Sequence, residues 1–244
     1  MGASEFLAER RSRITKQITR DIVSGSRPDT SAPSLVECEY VKNFTWMGIP
    51  VIQYPSDLIM LQEIIWETTP TYIIECGVAF GGLSLFMASV LEGIGRGTVL
   101  CIEKEMRPEN RSALIRSPYY WRMDIIDGSS TDPKTVANVD SSPGIKGGAM
   151  VVLDSNHTEE HVLRELEIYS KYVPVGGYMV VFDTAIEIYG HLDKNQDRPW
   201  GKGNNPMTAV YKWLRANKNW TADIQAEYTA LITSAPLGWL RRTE

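Results

Sequence analysis

Residues 72–84 read YIIECGVAFGGLS, and this stretch decides the fold. A short apolar run, Tyr72-Ile73-Ile74, ends in the acid Glu75, passes through a turn holding Gly77, Gly81 and Gly82, and continues into the apolar segment Leu83 to Leu91. Strand, glycine turn and helix in that order open a nucleotide-sized crevice at the carboxyl end of a strand in an α/β sheet. The glycines read G-x-x-x-G-G rather than the G-x-G-x-x-G that cradles a pyrophosphate. A carboxylate at the turn repels phosphate and suits a cationic, amino-bearing ligand such as S-adenosylmethionine.

Outward from this turn the pattern alternates. Strands are expected at 71–76, 97–103, 119–126, 148–154 and 177–183, with helices at 82–92, 107–116, 132–139 and 158–171. Runs such as Met150-Val151-Val152-Leu153 and Tyr178-Met179-Val180-Val181 are continuously apolar. That marks strands buried on both faces of a mostly parallel sheet. Residues 4–23 read as an amphipathic helix, 24–36 as a polar connection, and 40–56 as an ordered loop over the core. Asp57 is expected to cap a helix running to Trp66. Residues 185–204 form a polar segment long enough to be a functional lid. A helix at 206–217 and two late strands, near 222–228 and 229–234, complete the sheet as an antiparallel hairpin.

Composition narrows the function. The 244-residue chain is 43% hydrophobic with a net charge of −5. This acidic balance argues against a nucleic-acid partner, which requires clustered Lys and Arg. The basic cluster Arg10, Arg11, Arg13, Lys16 and Arg20 reads as the solvated face of the first helix, which packs on its own core or on a second copy in a homo-oligomer. No apolar run reaches a membrane span, and the first residues lack the order of a signal peptide. With three scattered cysteines, Cys38, Cys76 and Cys101, a cytoplasmic location with reduced thiols is expected.

Acids fall at the predicted strand ends. Glu103 closes the second strand, where a carboxylate accepts hydrogen bonds from ribose hydroxyls. Asp127-Gly128-Ser129 follows the third and is placed to contact an adenine ring or to form a simple turn. The fourth and fifth strands end in Asp154 and Asp183; if adjacent, these ends lie about 5 Å apart. Two such carboxylates raise each other's pKa unless a cation separates them, and a divalent ion, most simply Mg²⁺, resolves the conflict. His157 then faces the same cleft as a base for a hydroxyl proton. Asn156, three residues before Glu159, reads alternatively as a capping-box residue. His157 and His161 on one helical face, with Asp154, offer a remote alternative as an iron-type ligand set.

These residues resemble the cephalosporin hydroxylase/rhamnosyl O-methyltransferase family of class I S-adenosylmethionine-dependent methyltransferases. The resemblance runs over about 44–242, through Trp46-Met47-Gly48-Ile49-Pro50, the Glu75 glycine turn, Gly128-Ser129-Ser130, Leu153-Asp154-Ser155-x-His157, Asp183-Thr184, Pro206-Met207 and Gly238-x-Leu240-Arg241-Arg242. It implies a Rossmann-like, seven-stranded methyltransferase domain over 44–244, preceded by an N-terminal helix and linker at 1–43. It also implies Glu75, Gly77, Gly81 and Gly82 at the methionine end of the donor, Glu103 on the ribose, Asp154 and Asp183 as metal ligands, and His157 as base. One position departs: Phe182 stands where the family usually carries a Glu before the strand-end Asp, leaving Glu187 or a substrate oxygen to complete a metal site, or a reaction that runs without metal. The expected activity is O-methylation of a small polar hydroxyl acceptor, a sugar or natural-product scaffold. A non-catalytic donor-binding accessory protein and a nicotinamide-dependent oxidoreductase are the alternatives.

Overall fold

The computed structural model describes residues 2–24, 31–146, 148–192 and 197–244. The elements, in chain order, are α1 (Ala3–Ser24), α2 (Ala32–Glu37), β1 (Phe44–Trp46), β2 (Ile49–Val51), α3 (Pro55–Thr68), β3 (Tyr72–Cys76), α4 (Gly82–Ile94), β4 (Thr98–Glu103), α5 (Pro108–Ile115), β5 (Met123–Asp127), α6 (Pro133–Asp140), β6 (Ala149–Leu153), α7 (Glu159–Tyr169), β7 (Tyr178–Val181), α8 (Ile186–Tyr189), α9 (Pro206–Ala216), β8 (Trp220–Ala222), α10 (Ile224–Ala230) and β9 (Trp239–Arg242).

The seven-stranded sheet has the order β5-β4-β3-β6-β7-β9-β8. β3 pairs in parallel with both β4 and β6, so the chain reverses its winding direction there. Such a switch point opens a crevice at the strand carboxyl ends. β9 runs antiparallel to both β7 and β8. Every residue of β6 and β7 is buried, as their unbroken apolar sequences require. Period-two alternation splits the core: Ile73 packs in a layer with Leu61, Leu85 and Trp239, and Ile74 in a layer with Leu166, Tyr169 and Trp213.

Several expectations are corrected. Residues 224–230 are helical rather than two strands, because Asp223 caps them by accepting from the Ala226 amide at 3.1 Å. The late strands lie at 220–222 and 239–242, and their antiparallel pairing stands. Residues 40–56 contain a 3₁₀ turn and the hairpin β1–β2 rather than a plain loop. Met47 and Gly48, with φ of 47° and 86°, make its two-residue turn. Asp57 is not a cap: Pro55 already starts α3, and the buried Asp57 carboxylate accepts instead from the Ser234 amide at 2.9 Å. Residues 25–30 of the expected 24–36 connection and 193–196 of the expected 185–204 lid lie outside the described residues. Among the described residues no helix is long and apolar enough to cross a membrane.

Two glycines set how closely the site elements meet. A Cβ on Gly77 (φ +92°) would lie 2.2 Å from the Asp154 carbonyl oxygen, and one on Gly82 would lie 2.2 Å from that of Pro50. Both approaches are backbone to backbone, so no side-chain rotation relieves them. Gly82→Ala is expected to cost about 1–3 kcal/mol as overpacking, read as a lower denaturation midpoint at unchanged denaturant slope; an unchanged midpoint would contradict this packing.

Candidate active site

Glu75 sits at the end of β3, fully buried, with Ser84 from α4 donating to its Oε2. Its Oε1 is buried without a partner among the described residues. Burial pushes the carboxyl up to about 8, against the lowering effect of the Ser84 bond. The residue borders a small recess shared with Gln53, Gly77, Val78 and Asp154. A buried acceptor with an unused oxygen at a recess fits an amino-bearing cation, which would repay its desolvation.

Glu103, at the end of β4, accepts from the Val78 and Ala79 amides at 2.9 and 3.0 Å and so holds the glycine turn in shape. It lines a cleft of about 340 Å³ together with Gly77, Gly128, Ser129, Ser130 and His161. Gly81 and Gly82 support this turn from behind: Gly81 (φ +89°) is the cap of α4 and packs on Leu114, while Gly82 meets β2. Asp127 pairs with Arg111 and is largely exposed, so its side chain is not among those lining the cleft.

The ends of β6 and β7 bring Asp154, His157 and Asp183 together, with one ligand atom from each lying within 4.8 Å of the others. His157 Nε2 lies 3.5 Å from Asp154 Oδ1, and Nδ1 lies 3.0 Å from Asp183 Oδ2. The second contact is close but not aligned as a hydrogen bond, so it acts as an ion pair. Asp183 holds a positive φ of 56°, a strained conformation of the kind that clusters at functional sites. Burial, reinforced by the Asp183 charge, pushes Asp154 up to about 7. Burial opposes protonation of His157, yet the Asp183 charge and the close contacts to both acids push it up to about 10. Burial also acts to raise Asp183, but His157 outweighs it and holds the group below its ordinary value. The imidazolium therefore does the work of a cation between two acids. Two carboxylates and an imidazole this close also fit a divalent metal ion.

Sequence reasoning missed the support of this cluster. Gln53 Nε2 donates to Asp154 Oδ2 at 3.0 Å, and Gln53 Oε1 accepts from Ser234 Oγ at 3.1 Å. Nothing in the local sequence of Gln53 marks it, since Ser234 is remote in the chain. Glu165 was also missed, although it falls on the buried stripe Val162, Leu166, Tyr169 of α7, where an acid is out of place. Phe182 faces away from the acids: it is 1% exposed, with its ring edge-on to Trp239 at 6.1 Å. Glu187 accepts from the Gly203 amide and the Asn205 side chain and does not join the cluster. Asn156 accepts from the Thr158 amide at 3.0 Å and is not the cap of α7: Thr158 holds the N-cap position, without a side-chain bond. His161 faces Ser130, Ser155 and Glu165 rather than His157, so the remote alternative of an iron-type set holding both histidines does not form.

A second cavity, of about 370 Å³, opens on the other side of Asp154, walled by Val36, Ile52, Tyr54, Ile186, Tyr189 and Trp200. The Trp200 ring lies 5.0 Å from His157, and the Arg198 guanidinium lies 5.2 Å over Trp200. Asp154, Ala79 and Ser155 line both this cavity and the cleft, so the two spaces meet there.

A sheet of this order with ligand spaces at its switch point defines a class I methyltransferase fold. The rhamnosyl O-methyltransferase/CmcI family model matches residues 38–243, and the chain belongs to that O-methyltransferase family. It is 30% identical over 204 residues to the rhamnosyl O-methyltransferase of Mycobacterium tuberculosis, covering 81% of this chain and 78% of that protein. The Mycobacterium leprae protein of the same name is 31% identical over 175 residues, covering 68% and 72%. Among solved structures, apo CmcI-N160 superposes with a TM-score of 0.61 at 16% identity, covering 92% of this chain and 84% of that one. The O-methyltransferase TomG from Streptomyces achromogenes, in complex with SAM, gives 0.53 at 16% identity, covering 78% and 80%.

Two outcomes are expected. Ligand-free folded Glu75 keeps its proton up to about pH 8, while the unfolded carboxyl loses it near 4.5. The folded state then binds more protons between those values, so stability falls as pH rises from 4.5 to 8. Glu75→Gln should weaken that dependence in urea unfolding at pH 5 and pH 8, and an equally steep dependence would contradict the assignment. Phe182→Glu should lose about 3–5 kcal/mol by burying an unpaired charge, without tighter binding of Mn²⁺ by calorimetry.

Proposed function

We propose that the protein transfers the methyl group of S-adenosylmethionine to a hydroxyl of a small polar acceptor, a sugar or a natural-product scaffold. One observation carries this reading: Asp154 borders the donor recess at Glu75, the cleft at Glu103 and the apolar cavity at Trp200, so donor and acceptor spaces meet beside His157. A methyl-transfer site needs that meeting point, because placing sulfonium carbon and hydroxyl oxygen in line supplies much of the rate. The names of the relatives support the chemistry, and the SAM complex of TomG and a structure named Mg-SAM for CmcI-D160 support the donor.

In this reading Glu75 Oε1 binds the donor's amino group, with Gly77, Gly81 and Gly82 shaping the turn that receives it. Glu103 holds the ribose, and Gly128 and Ser129 border the base, while the expected contact from Asp127 is not made because its carboxylate pairs with Arg111. Asp154 and Asp183 would hold a divalent ion such as Mg²⁺, which supplies Lewis-acid stabilisation of a developing alkoxide. His157 takes the acceptor's proton at Nε2, since Nδ1 is buried against Asp183, and the flanking carboxylates stabilise the resulting imidazolium. Because His157 sits near 10 in the ion-free site, the neutral base becomes more abundant as pH rises above 7. The walls formed by Ile186, Tyr189 and Trp200 keep water from the acceptor. The described stretches 185–192 and 197–204, which carry them, are thus assigned to covering the acceptor.

The test is radiolabelled methyl transfer to a panel of glycosides and phenols, beside calorimetry with S-adenosylhomocysteine. His157→Ala should lower kcat by about 10²–10⁴-fold and leave the S-adenosylhomocysteine Kd within about twofold. In the ion-free unaltered enzyme, kcat should climb from pH 7 toward 10. Equal losses of turnover and donor affinity in the variant would reject the base role. Absence of donor binding by the unaltered protein would reject the whole reading.

A further inference from the structure

A second buried acid, on the cleft side of α7, takes no part in the chemistry above. Glu165 is fully buried, and its Oε1 accepts from the hydroxyls of both Ser130 and Ser155. His161 Nε2 lies 3.1 Å from each serine oxygen and 3.3 Å from Glu165 Oε1. A serine hydroxyl has one proton. Here both protons point at Glu165, so the oxygen lone pairs face His161 Nε2, which must be the N–H donor. In the neutral ring this leaves Nδ1 as an acceptor, and no protein group among the described residues bonds it. His161 lines the cleft beside Gly128 and Ser129.

That wall joins the segments after β5 and β6 through Ser130 and Ser155, in the cleft that Glu103 also lines; with the ribose on Glu103, this wall is left for the base of a bound nucleoside. Adenine has a single N–H donor group once joined to ribose, its exocyclic amine. The Asp127 carboxylate, the expected partner of that amine, is turned toward Arg111. An acceptor at this wall therefore has to come from elsewhere.

We propose that His161 is a donor-specificity residue whose Nδ1 accepts a hydrogen bond from the adenine amine, and that Glu165, through Ser130 and Ser155, positions the ring and fixes its tautomer. The inference rests on the reading that this cleft binds S-adenosylmethionine. The serines and the buried acid thus make a pocket that prefers an amine over a carbonyl at the purine C6 position. A site built to accept a hydrogen bond discriminates against a ligand that presents another acceptor there, because both groups are left unpaired.

The test is calorimetry with S-adenosylhomocysteine, S-inosylhomocysteine, in which a carbonyl replaces the amine, and the 2′-deoxy form of the former. The unaltered protein should bind the adenosyl compound about tenfold more tightly than the inosyl one. His161→Phe, which keeps a planar ring without nitrogen, should lose most of that ratio and leave the 2′-deoxy ratio unchanged. Survival of the adenosyl preference in the variant overturns the proposal, as does a change in the 2′-deoxy ratio alone, which would place His161 on the ribose. Failure of the unaltered protein to bind any of the three rejects the donor reading itself. Should the variant not fold, ¹⁵N NMR of the unaltered protein decides. The His161 Nδ1 resonance should move on adding the adenosyl compound and stay in place with the inosyl one; the same response to both overturns the proposal.

Discussion

The contact on which the site depends is the near-touching of two backbones at the ends of neighbouring parallel strands. The Asp154 amide donates to the Cys76 carbonyl at 2.8 Å, and Gly77 lies so close to Asp154 that no Cβ fits between them. This contact puts the turn after β3 directly beside the acid after β6. Glu75, Glu103 and Asp154 come from strands that are distant in the chain, and the contact gathers them around one crevice. Without a glycine at position 77 the two strand ends would separate, and the cleft at Glu103 and the cavity at Trp200 would no longer share a wall. The glycine thus serves packing as well as ligand approach, and the sequence pattern alone does not distinguish the two.

Buried acids lie around the same crevice, Glu75 on its wall and Asp57 and Glu165 behind the serines that line it. Glu75, Asp57 and Glu165 are each fully buried, and each leaves one oxygen without a partner among the described residues. Burial raises Glu75 and Asp57, to about 8 and about 6. Groups arranged this way destabilise the empty fold and gain most from a partner that arrives later, a trade of stability for function. Ser84, Ser130, Ser155 and Ser234 each serve one of these acids, so short hydroxyls take up part of the cost. Asp154 is braced similarly, through Gln53 from Ser234, which keeps one carboxylate oxygen turned away from His157.

Phe182 shows how position and direction separate. By sequence it stands next to Asp183 and takes the place of an expected ligand. Its side chain instead packs edge-on against Trp239 in the layer that holds Ile73 and Leu85. Asp183 turns the other way, with its positive φ aiming the carboxylate at His157. Adjacent residues at a strand end point to opposite faces, so a phenylalanine beside the acid stabilises the core and leaves the three-residue cluster intact.

Much of the architecture was legible in the chain itself. Apolar runs bounded by glycine and acid located four of the five parallel strands, β3, β4, β6 and β7, because burial on both faces demands continuous apolar sequence; the half-exposed edge strand β5 starts at Met123, four residues later than expected. The same logic placed Glu75, Glu103, Asp154 and Asp183 at strand ends. It failed at 222–234, where the cap at Asp223 turned an ambiguous apolar pattern into helix, and at 40–56, where a hairpin hid behind prolines. Which side chains face one another emerges only once the chain is folded: His157 between two acids, Gln53 against Asp154, and His161 with Glu165 and two serines. These meetings depend on strand order and on contacts between residues far apart in the chain. Local periodicity reports whether a residue is inside or outside, and it carries no record of the partner it will meet there.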